Sequence, residues 1–310
     1  MQGFVSGLTQ DEYPDLKMTI ISILLAFGLC YFVRELDQLR RFEWLKNVTR
    51  HCNEQCKDLP GWGGITGFLF YFGVPLLVTW AVYVLIVAVL GSFGAFLLSI
   101  AVLVYTFGPH DLDTDIRSII HADSDEEQSE ALEALLGDEP PGEGVDRQAH
   151  AIEFVFEESL QRWFGTIFWF AILGIYGALM YRIADRLTEG DLTLEPEQHG
   201  LFMRLRQIMD WPVAQLMTLA LAISTDFDSV YRAWKRYHDE QGNGLFEGGN
   251  GFMLAAARDI VLHGQAARDG YADQLDGPLS CLKQAMDLVW RILGVWLTVL
   301  ALLLLINVIS

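Results

Sequence analysis

Three carboxylates and an imidazole lie within six residues of one polar segment, which contains His110, Asp111, Asp113 and Asp115. Carboxylate oxygens at this density could hold Mg²⁺ together with a phosphate group, and the imidazole of His110 could carry a proton. A structural alternative is a helix start, because Gly108-Pro109 breaks the preceding element and acids stabilise the positive first turn of a helix. The three aspartates are therefore metal-ligand candidates, and His110 is a catalytic candidate.

A glycine-rich loop forms a second candidate site. It ends in Gly248-Gly249-Asn250-Gly251 and precedes an Ala-rich predicted helix, Phe252–His263. Free amides and the helix dipole make such an amino end attractive to anions. No Lys-Ser/Thr pair follows, as a Walker loop requires, and no strand precedes it, as a Rossmann turn requires. Gly248, Gly249, Asn250 and Gly251 are therefore predicted to bind a ligand, with a helix cap as the alternative.

Composition limits the elements that can position these groups. The chain of 310 residues is 52% hydrophobic, yet its formal net charge is -19. High apolarity and high charge are compatible when they occupy separate segments. A disordered chain, a nucleic-acid binder with a basic face and a disulfide-stapled secreted module are excluded. The composition instead predicts an all-α, polytopic membrane bundle with about 5–6 transmembrane helices and helical cytoplasmic loops.

The apolar residues form blocks that are typical of membrane spans, since about 20 residues cross a bilayer. The predicted spans are residues 18–33, 66–90, 95–107, 163–180, 211–223 and 292–308. The second and third spans come from one long uncharged run, which we expect to turn at Gly91–Gly94. The block 211–223 is short enough for a re-entrant segment, and Pro212 near its start suits the first turn of a helix. We detect no strand pattern and no internal repeat.

Lysine and arginine favour one orientation in the membrane. The loops 34–65, 108–162 and 224–291 contain 16 of the 21 basic residues, so the positive-inside rule places these loops in the cytoplasm. Residues 1–17 form a polar extension, and Met18 is an alternative start ahead of the first span. Residues 18–310 are predicted to form a single membrane domain.

The acidity is concentrated in one loop. Residues 108–162 contain 16 acids and three bases. The middle of this loop, from Ser124 to Leu136, has a helix-capping pattern. Its charge is interpreted as solvation, with a docking surface for a basic partner or a metal as the alternative. The two ends of the loop, which contain His110 and the pair Glu157-Glu158, are the better candidates for function.

Several short motifs resemble the AmpE family of bacterial inner-membrane proteins, over nearly the whole chain from Met18 onward. The matching segments are Gly108–Asp113, Glu157–Gly165, Phe168–Phe170, Gly174–Tyr181 and Asp210–Pro212. AmpE proteins are linked to the regulation of beta-lactamase induction and cell-wall recycling. They are similar in turn to the CobD/CbiB membrane synthases, which attach the aminopropanol arm in cobalamin biosynthesis.

The resemblance implies site residues and also departures from the synthase pattern. Glu157 keeps a synthase glutamate, and Gly249–Gly251 with Ala255–Ala257 resemble the synthase loop and helix. At other positions the synthase residues are replaced, by Glu158 for asparagine, Gln161 for aspartate, Asp185 for asparagine, Thr188 for aspartate and Gln215 for arginine. The resemblance thus implies catalytic candidates Glu157 and Glu158, and adds Asp185 and Asp210 as ligand-binding candidates.

Three functions follow from these observations. The first is an inner-membrane regulator of the AmpE kind that binds a small ligand or a partner at its cytoplasmic face. The second is an amide-forming synthase of the CobD/CbiB kind, for which Mg²⁺ or a nucleotide is a candidate cofactor. The third is a transporter, which would require ionisable residues inside the spans, and the six blocks contain none. The lipid bilayer is the expected partner, and a partner protein or a homo-oligomer is an alternative. No nucleic acid is expected.

Overall fold

The computed structural model describes residues 16–32, 42–56, 59–107, 112–120, 124, 130–131, 135, 145–188, 192, 194–241, 249–268 and 278–309. The predicted all-α class is confirmed, since no strand occurs in these ranges. The helices are α1 (Leu16–Phe32), α2 (Glu43–Cys56), α3 (Gly67–Thr106), α4 (Leu112–Ile120), α5 (Val145–Ser159), α6 (Gly165–Leu187), α7 (Pro196–Ser224), α8 (Phe227–Gln241), α9 (Gly251–Arg268) and α10 (Pro278–Ile309). Two π-helical turns, Trp62–Thr66 and Leu160–Phe164, lead into α3 and α6.

Three helical stretches are long and apolar enough to cross a membrane. They are Trp62–Thr106, Asp146–Leu187 and Ser280–Leu303, and the helix Lys17–Cys30 is apolar but shorter. Large apolar side chains on α3 are exposed, among them Val89 at 74% and Leu85 at 66%. Apolar surface on this scale is stable against lipid rather than water. The protein is therefore a helical membrane protein.

The chain divides into two compact units. The first comprises Met1–Pro109, Gly165–Arg206 and Thr298–Ser310, and the second comprises His110–Phe164 and Gln207–Leu297. In the first unit α3 packs against α1 and α6, and Phe202 of α7 lies among the rings of Phe68 and Phe72. The predicted single domain 18–310 stays a prediction.

The second unit is organised around α5 and α9. Helix α5 contacts α4 and α9, and α9 also packs along α8. Helices α8 and α9 approach each other at Gly251, where an added Cβ would collide with the hydroxyl of Tyr237. A side chain where α9 begins would therefore force the ring of Tyr237 to shift.

Helix α6 folds back on itself at Gly174, which has φ 63° and ψ -148°. In a straight helix, residues eight apart are separated by about 12 Å. A Cβ on Gly177 would nevertheless collide with the carbonyl oxygen of Trp169, and one on Gly165 would collide with the ring of Tyr181. These contacts require the chain to reverse between them. Gly165–Leu187 is therefore a helical hairpin, and the predicted span 163–180 contains its turn.

Helix α3 has the same construction. Gly91 has φ 60° and ψ -149°, and a Cβ on Gly94 would lie 2.7 Å from Cγ2 of Ile86, eight residues earlier. The turn expected at Gly91–Gly94 thus corresponds to a reversal at Gly91. Only this one residue leaves the helical backbone conformation within α3.

The two hairpins also share a sequence, so the expectation of no internal repeat is corrected. Residues 88–101 and 171–184 align without gaps across their turns. The first copy supplies the shared residues Ala88, Leu90, Gly91, Gly94, Ala95, Ile100 and Ala101, each repeated 83 positions later. The repeat is short and mostly apolar, so it does not stand out from other membrane segments until the backbone shows two equal turns.

Of two further sequence expectations, the first-turn position of Pro212 is wrong, and the other lies almost entirely outside the described residues. The block 211–223 lies in the second half of α7, so Pro212 is inside a helix rather than in its first turn. The capped helix expected at Ser124–Leu136 and the extension 1–17 fall almost entirely outside the described residues.

Candidate functional site

The aspartates that follow the third apolar block open helix α4, as the helix-start interpretation predicts. Asp113 and Asp115 lie in its first turn. Asp113 is buried and pairs with Arg117 at 2.8 Å, and it accepts a hydrogen bond of 3.2 Å from Nε1 of Trp290. Its carboxylate is therefore held by α10 as well as by its own helix.

Arg162 joins α4 to the end of α5. Its Nε lies 2.5 Å from Oε2 of Glu158, and its Nη1 lies 3.7 Å from Oδ2 of Asp115. The three side chains are partly buried, with exposed fractions of 18% for Arg162, 23% for Glu158 and 34% for Asp115. One guanidinium thus lies between two carboxylates that sequence analysis had assigned to separate motifs. We call Asp115, Glu158 and Arg162 the acid–arginine cluster.

The local backbone explains how Arg162 reaches this position. It lies in the π-helical turn Leu160–Phe164, and such turns are frequent at functional sites because they re-aim the side chains of a helix. The next residue, Trp163, packs against Trp290 with ring centroids 5.6 Å apart. Trp290 thereby contacts both the π-helical turn and Asp113. Because Arg162 of the same turn contacts Asp115, both aspartates of α4 are linked to this turn.

Glu157 has a separate partner. Nε2 of Gln161 donates to its Oε1 at 3.3 Å, one turn later on the helix. Both side chains are half-buried. Gln161 thus contacts Glu157, whereas Arg162 contacts Glu158.

The described part of the glycine loop forms the start of α9. Gly249 has φ 57° and lies beside Gln207, and the carbonyl oxygen of Asn250 accepts from the amide of Met253 at 2.9 Å. Helix α9 packs on α5, where Arg258 lies 3.3 Å from Glu153. The loop thus belongs to the same unit as the acid–arginine cluster.

Asp185 belongs to the other unit and forms a second cluster. It is buried and pairs with Nη1 of Arg182 at 2.6 Å, while Nη1 of Arg206 lies 3.9 Å from its other oxygen. Arg206 also donates to Oγ1 of Thr188 at 3.0 Å, and His199 lies 3.3 Å from the Thr188 carbonyl oxygen. Two guanidinium groups around one carboxylate make this end of the hairpin suited to a ligand with an anionic group.

Among the remaining candidate site residues, Asp210 is buried in α7. His110, Asp111 and Gly248 lie outside the described residues. Among the residues that the structure describes, no group of three or more His, Cys, Asp and Glu side chains could hold a metal ion. Asp113 and Asp115 have partners in different directions, so a metal role for the three aspartates stays a prediction.

Sequence analysis missed the arginines of both clusters, and it also missed Trp290. Arg182 stands three residues before Asp185, which is helical spacing for a pair, and that signal was available. Arg162 likewise follows Glu158 by four residues. Trp290 carries no comparable signal, because it contacts Asp113 across a separation of 177 residues.

The fold and these polar clusters define a helical membrane protein with candidate ligand sites at the ends of its apolar helices. The chain is similar to the "Cobalamin biosynthesis protein CobD" of Stutzerimonas stutzeri (strain A1501), with 25% identity over 167 residues. The match covers 51% of this chain and 54% of that protein, so it spans about half the length of the curated relative. No protein-family profile and no solved structure match the chain.

Proposed function

We propose that the protein is a membrane-embedded synthase of the CobD/CbiB kind, which joins an amine to a carboxylate in corrinoid biosynthesis. The observation that carries this proposal is the 167-residue similarity to CobD. It favours the synthase over the AmpE-type regulator that the sequence motifs placed first. The polar network of α4, α5 and the following π-helical turn supplies side chains of the kind that such a reaction needs.

In this proposal Glu157 is the proton-handling group. It is half-buried, and the side-chain amide of Gln161 donates to its carboxylate. A carboxylate in this position can accept a proton from an attacking amine. Glu158 is held by Arg162 and acts as a positioning residue. The cationic cluster around Asp185 is a separate candidate for binding an anionic ligand.

No step is assigned to Mg²⁺ or to a nucleotide. The carboxylates of Asp113 and Asp115 are engaged by Arg117, Trp290 and Arg162. A divalent ion at this place would have to displace arginine contacts, so the described residues do not form a ready metal site.

The test is cobinamide formation by the purified protein in lipid, with and without ATP and Mg²⁺. We expect product from the natural chain and a loss of at least tenfold in Glu157→Gln. The matched control is Glu153→Gln, one turn earlier on α5, which should keep its activity. Inactivity of the natural chain, together with failure to bind a corrinoid, would contradict the proposal.

A second candidate function is a regulator of the AmpE kind, located in the bacterial inner membrane with its long loops in the cytoplasm. The specific observation in its favour is the Glu158–Arg162 pair. The resemblance implies a neutral asparagine at this position in the synthases, whereas Glu158 is a carboxylate that is already paired with an arginine. Deletion of the gene should then alter beta-lactamase induction and the pools of cell-wall fragments. An unchanged response in both measurements would argue against regulation.

A further inference from the structure

The second hairpin, Gly165–Leu187, is too short to cross a bilayer. Nine residues separate Gly165 from the turn at Gly174, which is about 14 Å of helix. The hydrocarbon core is about 30 Å thick. In the first hairpin the arm from Gly67 to Gly91 measures about 36 Å by the same rise and the returning arm from Gly91 to Thr106 about 22 Å, so the first arm exceeds the thickness of the hydrocarbon core. The two hairpins thus have the same turn but helical arms of very different length.

The open ends of the two hairpins lie at the same level. Oγ1 of Thr166, at the start of the second hairpin, lies 3.5 Å from the carbonyl oxygen of Thr106, at the end of the first. From these threonines the chain runs 15 residues back to Gly91 but only eight on to Gly174. At 1.5 Å per residue, the second turn therefore stops about 10 Å short of the first.

The segment that follows the second hairpin returns to the open end of the first hairpin. The side-chain amide of Gln198 donates to the carbonyl oxygen of Trp62, at the beginning of the first hairpin. A Cβ on Gly64 would lie 2.8 Å from Oε1 of Glu197. If α6 crossed the membrane, residues 195–198 would instead lie near Gly91.

The surface of the second turn is apolar and faces away from the rest of its unit. Ile172 is 56% exposed and Leu173 is 46% exposed. No charged residue occurs from Trp163 to Tyr181, and the first charge after the turn is Arg182, which is level with Thr166.

We infer that Gly165–Leu187 is a re-entrant hairpin whose turn docks among the acyl chains of one leaflet. The first hairpin continues past it to the opposite surface. Residues 181–210 consequently lie on the same side of the membrane as loop 108–162, whereas six crossing spans would place them on the other side. The inference does not depend on the proposed enzymatic function.

The distribution of basic residues agrees with this topology. Residues 181–210 contain four arginines, which join the loops that the positive-inside rule already assigned to the cytoplasm. If the short block 211–223 also fails to cross, then 20 of the 21 Lys and Arg residues lie on one side, with Lys17 as the exception.

Single cysteines test the topology in a full-length chain whose four natural cysteines are replaced by serine. A membrane-impermeant maleimide is applied to sealed right-side-out and inside-out vesicles carrying Glu195→Cys, Glu130→Cys or Ser92→Cys, all at exposed positions. We expect the cysteines at 195 and 130 to react from the same side and the cysteine at 92 from the opposite side. Reaction at 195 from the side of 92 would overturn the inference.

A second measurement covers the case in which the serine-substituted chain does not fold. An epitope inserted between Leu194 and Glu195 of the otherwise natural chain should be accessible to antibody in the same vesicles as an epitope inserted after Glu130 of another otherwise natural chain. A nitroxide on Ile172→Cys should show a higher ratio of oxygen to aqueous-reagent collisions than one on Ser92→Cys, because the acyl region dissolves oxygen. An equal or lower ratio would place the second turn at a membrane surface and contradict the inference.

Discussion

At the scale of single residues, the candidate chemistry depends on arginines rather than on carboxylates alone. Asp115 and Glu158 would repel each other without the guanidinium of Arg162 between them, at 3.7 Å and 2.5 Å. Asp185 is likewise accompanied by Arg182 and Arg206. Because buried charges are stable only when they are paired, these arginines determine which carboxylates can approach each other.

Arg162→Ala should destabilise the protein by roughly 1 kcal/mol, since it removes a partly buried cation and leaves two like charges facing each other. The unfolding temperature in detergent should fall by about 2–4 °C. Arg258→Ala is the matched control, because its pair with Glu153 is more exposed, and it should change the temperature less. Equal shifts in both variants would show that the acid–arginine cluster contributes no special stability.

Cys52 provides a pH-dependent prediction outside the membrane spans. Burial raises the pKa of the Cys52 thiol, and the neighbouring Cys56 raises it further. The folded pKa thus exceeds the unfolded value of about 8.5, so the associated stability is present below the unfolded pKa and is lost as the pH rises through the folded pKa. The pH midpoint of Cys52 alkylation, measured by mass spectrometry, should be more alkaline in the folded than in the unfolded chain. Coincident midpoints would contradict this assignment.

At the scale of elements, one glycine conformation turns two helices into hairpins. Gly91 and Gly174 have φ near 60° and ψ near -150°, a backbone region that is essentially restricted to glycine. Gly94 and Gly177 then allow the two arms to approach. The repeated motif is therefore a reversal of a helix rather than a flexible break in it.

Gly174→Ala should cost about 1–3 kcal/mol, because alanine at this φ and ψ is strained even though open space surrounds the position. Gly73→Ala in α3 is the control, since its Cβ would also meet nothing within 4 Å and its φ is ordinary. Unfolding in detergent should occur earlier for the first variant and be unchanged or later for the second. A stable Gly174→Ala protein would mean that the turn tolerates another conformation.

At the scale of the whole molecule, the apolar helices and the acidic segments occupy separate parts of the chain. Only 6% of the most apolar window of Trp62–Thr106 and 33% of that of Ser280–Leu303 is buried within the protein, whereas the net charge of -19 is concentrated largely in residues 108–162. Burial of the helices in lipid and solvation of the loop explain both properties.

The expressed protein should remain in the membrane pellet after an alkaline carbonate wash and should dissolve only in detergent. The reason is that Trp62–Thr106 and Ser280–Leu303 are long and apolar enough to cross the bilayer, and a spanning helix is effectively irreversible as an anchor. A peripheral membrane protein carried through the same wash is the control. Release of the protein with that control would refute the membrane assignment.

The site candidates Glu157, Glu158 and Asp185 follow from the family resemblance and stay predictions. The amino-acid sequence by itself determined the helical membrane class and the positions of the apolar segments. These properties are local, because hydropathy and helix periodicity add up residue by residue along the chain. Only the tertiary structure decided that the chain reverses at Gly174, that Arg162 joins Asp115 to Glu158 and that Trp290 holds Asp113. A reversal depends on the backbone angles of one glycine and the packing around it, and a contact across 177 residues depends on how separate helices meet. Neither is encoded in the composition of a local segment.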